Sequence, residues 1–158
     1  MQPMVDREAA RRADLSFLEA TDALLDTPSM ELFFELLAAF PNAKVVLTAR
    51  EPTAWARKRR ARHPYDRAPL FHHMGLVTEM MRLSEAQAAS ALALWHRVVL
   101  ASVPPERLLA LDLFAMADEE LWTKLCRFVE RPLPPRGADG RLPPFPHHRY
   151  GDKGTAMA

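Results

Sequence analysis

Two features of the sequence place ionisable side chains where they could act on a ligand, and the first is Asp26. It closes a short apolar run, residues 22–26, which predicts a strand leading into a helix that begins near Pro28. Ligands of parallel α/β folds collect at the carboxyl ends of strands, so Asp26 is a candidate to orient or deprotonate a substrate group. Alternatively, Asp26 only helps to cap the helix, and the sequence leaves both interpretations open.

The second feature is a cluster of basic residues in the middle of the chain. Residues 52–62 predict a helix that starts at Pro52, and its second half carries Arg57, Lys58, Arg59, Arg60 and Arg62. This cluster could contact nucleic-acid phosphates, or it could be a solvated helix face. Because the formal net charge is only +1 and no aromatic residues are interleaved with the cluster, the sequence does not predict a nucleic-acid partner.

The histidines and the cysteine do not predict a metal site. His63, His72, His73 and His96 show no spacing typical of metal ligands. Cys126 is the one cysteine of the chain and lies in an apolar helical pattern, which is typical of a small buried side chain. We therefore expect no metal ion in the function of this protein.

The elements that must position these residues alternate between strands and helices. The alternation predicts an α/β fold with a mostly parallel sheet and helices on both faces. The continuous apolar run at residues 44–49 supports this, because such runs are typical of strands that are covered on both sides. The predicted strands cover residues 22–26, 44–49 and 107–113, and the predicted helices cover residues 29–40, 52–62, 70–82, 84–103 and 118–130.

Length and composition are those of a single globular domain. The chain has 158 residues, of which 49% are hydrophobic and 26% charged. We expect one domain over residues 1–150 and a disordered tail over residues 151–158. No apolar run approaches the ~20 residues of a membrane span and no signal segment is visible, so the expected compartment is the cytosol. The oligomeric state is not predicted.

Several of these segments together resemble the sulfotransferase family. The resemblance is carried by DALLDTPSMELFFELLAAFPNAKVVLTAREPTAW, by a long helix bearing Trp95, and by PPERLLALDL, LWTKLCRFVERPLPP and PFPHH. It extends over about residues 20–149 and is most specific in residues 41–55. It implies a P-loop nucleoside triphosphate hydrolase-like fold. It also implies transfer of a sulfuryl group from 3′-phosphoadenosine 5′-phosphosulfate to a hydroxyl or amine of a small acceptor, without a metal.

The resemblance also implies roles for individual residues. The family arginine that contacts the 3′-phosphate matches Arg50 in LTAREP, and the family serine eight positions further on is Lys58 here. A lysine can still pair with a phosphate as a point charge. The family also has an acidic residue at the position of Asp26. The alternative for Arg50 is an ordinary surface arginine at the end of a strand.

One part of the family pattern has no counterpart in the sequence. No apolar strand followed by a Gly/Ser/Thr-rich turn precedes Asp22, and all five glycines lie at Gly75 or later. Such a turn would hold the 5′-phosphosulfate with backbone N–H groups. The sequence thus predicts a domain that is incomplete at its N-terminus and lacks the first strand and phosphate loop. Two hypotheses follow: a sulfotransferase, active or inactive in the chain as given, or a non-catalytic truncated relative that acts as an interaction module.

Overall fold

The structure is a computed structural model that describes residues 15, 18, 20–25, 32–62 and 82–146. Within these ranges it contains four α-helices, a short 3₁₀ helix at Pro105–Arg107 and two β-strands. In chain order they are α1 (Phe33–Ala39), β1 (Val45–Ala49), α2 (Pro52–Arg62), α3 (Glu85–Ser102), β2 (Leu108–Asp112) and α4 (Asp118–Val129). The described part is therefore mixed α/β, as the alternating pattern predicts.

The two strands form a parallel pair. Val45 lies opposite Leu108 and Ala49 lies opposite Asp112, so the carboxyl ends of both strands meet at one edge. The predicted strands at residues 44–49 and 107–113 are confirmed to within one residue at each end. Arg107 fastens the opposite edge, because its guanidinium donates to the carbonyls of Phe40 at 3.2 Å and Ala43 at 2.9 Å.

The two faces of the sheet are covered by different helices. Side chains alternate between the faces along a strand, so Leu108 and Leu111 point in opposite directions. On one face, Val45, Leu47 and Leu108 pack against a buried cluster from α3 and its C-cap. That cluster consists of Ala91, Leu92, Trp95, Val99 and Val103. On the other face, Leu109 and Leu111 pack against Leu121 of α4 and against Phe145.

Helix α3 begins with the capping box that its sequence predicts. The Ser84 hydroxyl accepts from the backbone N–H of Gln87 at 3.2 Å, and the Gln87 side chain accepts from the backbone N–H of Ser84 at 2.8 Å. Each bond satisfies a donor that the first turn of a helix would otherwise leave without a partner. The start of this helix is therefore decided locally.

The predicted strand at residues 22–26 is wrong for residues 22–25, the part of it that the structure describes. These residues form a bend and irregular backbone, and the side chains of Leu24 and Leu25 are 43% and 84% exposed. An apolar run becomes a strand only where a neighbouring strand exchanges backbone hydrogen bonds with it. Among the described residues, β1 and β2 pair with each other and not with this segment.

The remaining helix predictions have mixed outcomes. The predicted bounds of α2, residues 52–62, are confirmed, and α4 ends one residue before the predicted position. Helix α1 is shorter than the predicted 29–40, since it starts after Leu32, whose side chain makes no capping hydrogen bond. The predicted helix at residues 70–82 and the predicted tail at 151–158 lie outside the described residues, apart from Arg82.

Candidate functional site

A cavity of about 370 Å³ lies at the edge where the carboxyl ends of β1 and β2 meet the start of α2. This is the edge at which parallel α/β folds collect ligands. Its lining comes from the residues after β1, from α2, and from the end of β2 with the turn that follows it. The lining residues are Arg50, Glu51, Ala54, Lys58, Asp112, Phe114 and Ala115.

Arg50 and Lys58 reach this cavity from two different elements. Arg50 is the residue directly after β1, while Lys58 lies in α2, one helical turn beyond Ala54. Residues four apart in a helix lie on the same face, so Ala54 and Lys58 both face the cavity. The structure therefore brings two cationic side chains to one small space.

The guanidinium of Arg50 stacks on an aromatic ring. Its central carbon lies 4.3 Å from the centroid of the Phe114 ring, which is the distance range of a cation–π contact. Phe114 lies in the turn after β2 and is 46% exposed, an unusually open position for a phenylalanine. The contact thus joins the residue after β1 to the turn after β2.

Glu51 caps the first turn of α2. Its carboxylate accepts from the backbone N–H of Ala54 at 2.5 Å and from that of Thr53 at 2.8 Å. These two bonds, first that of Ala54 and then that of Thr53, lower the pKa of the Glu51 carboxyl below its usual value. Glu51 is consequently ionised at neutral pH, and its charge is directed to the helix N-terminus.

Asp112 organises the other side of the cavity. One oxygen, Oδ1, accepts from the backbone N–H groups of Phe114 and Ala115, both at 3.0 Å. This is the local pattern by which an aspartate stabilises a turn directly after itself. Asp112 therefore fixes the backbone of the turn from which the Phe114 side chain extends toward Arg50.

The charges that line the cavity cancel formally, since Arg50 and Lys58 face Glu51 and Asp112. Both carboxylates, however, accept two backbone N–H bonds each, which offset part of their negative charge. A guanidinium and an ammonium together are the side-chain donors that recognise phosphate in proteins. The two cationic side chains are therefore of the kind that could hold a phosphate group, and the two carboxylates beside them oppose an anion.

Part of the basic cluster on α2 is engaged in contacts within the protein. Arg57 pairs with Glu85 at the start of α3 at 3.3 Å, and Arg60 donates to the carbonyl of Leu83. Ala56, the residue before Arg57, is fully buried against Ala88 and Ala89. These contacts join α2 to the start of α3, which gives Arg57 and Arg60 a structural role.

The predicted site residues differ in their outcomes. Arg50 and Lys58 line the same cavity, although the binding role that the family resemblance implies for them stays a prediction. Asp26 lies outside the described residues, so its predicted role is equally untested. Sequence reasoning missed Asp112 and Phe114. The strand-end rule that was applied to Asp26 also applies to Asp112, the last residue of β2, whereas no sequence signal indicated the ring of Phe114.

The described residues contain neither a cluster of metal ligands nor a helix suited to a membrane. No group of three or more His, Cys, Asp and Glu side chains there could hold a metal ion. In the same residues, no helix is both long enough and apolar enough to cross a membrane.

Comparison with known proteins connects this segment to one family. Residues 4–62 match the family model described as "Sulfotransferase domain". This range contains β1, α2, Arg50 and Lys58, and it ends well before residue 149, where the resemblance noted above ends. The predicted resemblance to the sulfotransferase family is thereby confirmed.

A curated fungal protein is similar to a shorter stretch. The "Ava biosynthesis cluster protein M" of Aspergillus versicolor is 53% identical over 34 residues. The match covers 22% of this chain and 13% of that protein, so only a small part of the relative's length is represented.

Proposed function

We propose that the cavity at the ends of β1 and β2 binds the 3′-phosphate of 3′-phosphoadenosine 5′-phosphosulfate, the sulfuryl donor. The observation that carries this proposal is the meeting of Arg50 and Lys58 in one cavity, within the segment that matches the sulfotransferase model. The guanidinium of Arg50 supplies planar paired donors, and Lys58 adds a point charge from α2.

The proposed reaction is transfer of the sulfuryl group to a hydroxyl or amine of a small acceptor. The acceptor oxygen or nitrogen forms a bond to sulfur, the bond between sulfur and the bridging phosphate oxygen breaks, and adenosine 3′,5′-bisphosphate leaves. The acceptor loses one proton, and we assign Asp26 to orient the acceptor or receive that proton. Arg50 and Lys58 hold the donor at its 3′ end, away from the reacting bond.

The proposal extends to the domain as a whole. Residues 1–150 form one sulfotransferase-like domain of P-loop type, and the parallel pair of β1 and β2 with helices on both faces is its described part. The groups that bind the 5′-phosphosulfate are not among the residues assigned here. Loss of even one hydrogen-bond donor to the charge that develops in the transition state can lower the rate by a factor of ~10²–10³. Turnover therefore depends on groups beyond this cavity, and nucleotide binding is the better first test.

The test is calorimetric titration with adenosine 3′,5′-bisphosphate, with adenosine 5′-phosphate as the ligand control. We expect binding that depends on the 3′-phosphate. Arg50→Ala should weaken it roughly 10- to 100-fold, the range for losing a hydrogen bond between charged groups. Arg97→Ala is the matched control, because Arg97 is an exposed arginine on α3 that does not line the cavity.

Two outcomes would contradict the proposal. Equal affinity for the two nucleotides, or unchanged affinity after Arg50→Ala, would remove Arg50 from 3′-phosphate recognition. Absence of binding by a chain with a cooperative unfolding transition would favour the second hypothesis, a non-catalytic relative that acts as an interaction module.

Asp26 requires a separate experiment, because the described residues do not include it. In a form of the protein with measurable sulfuryl transfer, Asp26→Asn should abolish turnover and leave affinity for adenosine 3′,5′-bisphosphate unchanged. Turnover that survives Asp26→Asn would restrict Asp26 to capping the following helix.

A further inference from the structure

The exposure of Phe114 calls for an explanation beyond packing. Its side chain is 46% exposed, although Leu111 of β2 is buried with Leu121 and the adjacent Leu113 packs against that cluster. An exposed phenylalanine gains less from burial than these neighbours do. Its ring lies against the guanidinium of Arg50, whose central carbon is 4.3 Å from the ring centroid.

The turn that carries Phe114 is fixed on both sides. Before it, Oδ1 of Asp112 accepts from the backbone N–H groups of Phe114 and Ala115. After it, the N–H of Met116 donates to the carbonyl of Asp112 at 3.2 Å. Below the turn, Leu111 is 1% exposed and anchors the end of β2. The backbone of Phe114 therefore has little freedom to move away from Arg50.

Stacking restricts Arg50 without using its hydrogen-bond donors. A guanidinium that lies on a ring face keeps the N–H groups at its edge available for an anion. Arginine side chains otherwise have many rotamers, and ordering them opposes binding. A ring that holds the guanidinium at the cavity before a ligand arrives removes part of that cost.

We infer that Phe114 is a positioning residue, which holds the guanidinium of Arg50 at the cavity for an anionic ligand, with Asp112 fixing the turn that presents the ring. The effect of Phe114 on 3′-phosphate binding rests on the proposed function. The stack itself does not depend on a ligand and can be measured in the free protein.

The first measurement is made on the free protein by NMR. Protons on Cδ of Arg50 that lie over a ring face are shifted upfield by the ring current. We expect this shift in the wild type and in Phe114→Tyr, and we expect its loss in Phe114→Leu. Wild-type Arg50 shifts equal to those of Phe114→Leu would overturn the positioning role regardless of any ligand.

The second measurement is a double-mutant cycle on affinity for adenosine 3′,5′-bisphosphate. Phe114→Leu should weaken binding roughly two- to fivefold, the value of an exposed cation–π contact, while Phe114→Tyr retains wild-type affinity. In the Arg50→Ala background, Phe114→Leu should have no further effect. Leu100→Ala, which truncates an exposed apolar side chain on α3, is the control for general effects.

The outcomes separate this role from the proposed function. Selective binding with equal effects of Phe114→Leu in both backgrounds would overturn the positioning role and leave the phosphate site intact. No selective binding in the wild type would overturn the phosphate site and the contribution of Phe114 to it. In that case a persisting ring-current shift would still establish that Phe114 holds Arg50.

Discussion

The two carboxylates at the cavity, Glu51 and Asp112, also accept hydrogen bonds from the backbone. Asp112 accepts two backbone N–H groups with one oxygen, and Glu51 accepts two with both of its oxygens. Their negative charges nevertheless remain beside Arg50 and Lys58. In the proposed phosphate site, affinity therefore depends on the balance between two cations and two partly compensated carboxylates.

Asp112→Asn separates the effect of the negative charge of Asp112 from its effect as an acceptor in the turn. Asparagine keeps the Oδ1 acceptor for the turn and removes the negative charge, so affinity for adenosine 3′,5′-bisphosphate should rise roughly two- to fivefold. This range follows from about 1 kcal/mol or less between unit charges a few Å apart in water. Titration at two salt concentrations is the measurement, and the gain should shrink at the higher one.

The control for this change is Asp112→Ala, which also removes the acceptor and should weaken binding by loosening the turn at Phe114. Reduced affinity in Asp112→Asn would indicate that the carboxylate itself assists the ligand.

Helices α2 and α3 both begin with a capping group at the first turn. Glu51 caps α2 and Ser84 caps α3, and the salt bridge from Arg57 to Glu85 joins the two helices. Because α2 carries Lys58 to the cavity, the position of that lysine depends on the cap at Glu51. Stability measurements on the two caps therefore test α2, which lines the cavity, and α3, which the salt bridge joins to it.

The cap at Glu51 makes stability depend on pH. The folded-state pKa of Glu51 is lowered below the usual value of a glutamate, chiefly by the N–H of Ala54, so ionised Glu51 stabilises the fold. This contribution is complete above the unfolded pKa and disappears as the pH falls through the lower folded pKa. The difference in unfolding free energy between wild type and Glu51→Gln should be constant above about pH 5 and decline toward pH 3.

Urea unfolding across that pH range is the measurement, and Glu106→Gln, which changes an exposed carboxylate of the 3₁₀ helix, is the matched control. A difference that does not change with pH would show that the ionised carboxylate of Glu51 contributes nothing to the cap.

The cap at Ser84 offers a second test at this scale. Ser84→Ala removes the acceptor for the N–H of Gln87 and should lower the free energy of unfolding by about 0.5–2 kcal/mol. Ser84→Asp keeps an acceptor and should remain within a few tenths of a kcal/mol of the wild type. Equal urea midpoints for Ser84→Ala and the wild type would contradict the importance of this capping box.

At the scale of the whole molecule, the segment after α4 packs against the sheet through residues 143–145. The Phe145 side chain is buried with Leu111 and Leu121, and its ring centroid lies 4.8 Å from that of Trp122. The indole N–H of Trp122 donates to the carbonyl of Pro143 at 2.8 Å. Since Leu111 directly precedes Asp112, this packing also supports the turn beside the cavity.

Phe145→Ala should release this segment. Truncating a buried phenylalanine costs up to about 3–5 kcal/mol, and the indole N–H of Trp122 should exchange with solvent faster once its acceptor moves. Hydrogen exchange followed by NMR at that proton is the measurement. Phe145→Leu is the control and should retain most of the protection, whereas unchanged exchange in Phe145→Ala would show that the segment is held by other contacts.

The sequence by itself determined the elements whose signals are local. Residues 44–49 have a β-branched, continuous pattern, and residues 84–87 contain both halves of a capping box, so β1 and the start of α3 were predicted correctly. Residues 52–62 start at a proline and were predicted with both bounds correct, because the physical causes of a helix lie within a few residues of each other.

Tertiary structure decided what depends on distant neighbours. Residues 22–25 have the composition of a strand but do not form one, because strand formation requires hydrogen bonds from another segment. Arg50 and Lys58 were predicted as ligands from a family resemblance, yet only the pairing of β1 with β2 shows that Asp112 and Phe114 lie beside them. A side chain in the turn after one strand meets the residue after another only when the sheet aligns both carboxyl ends, and no local pattern in either segment encodes that alignment.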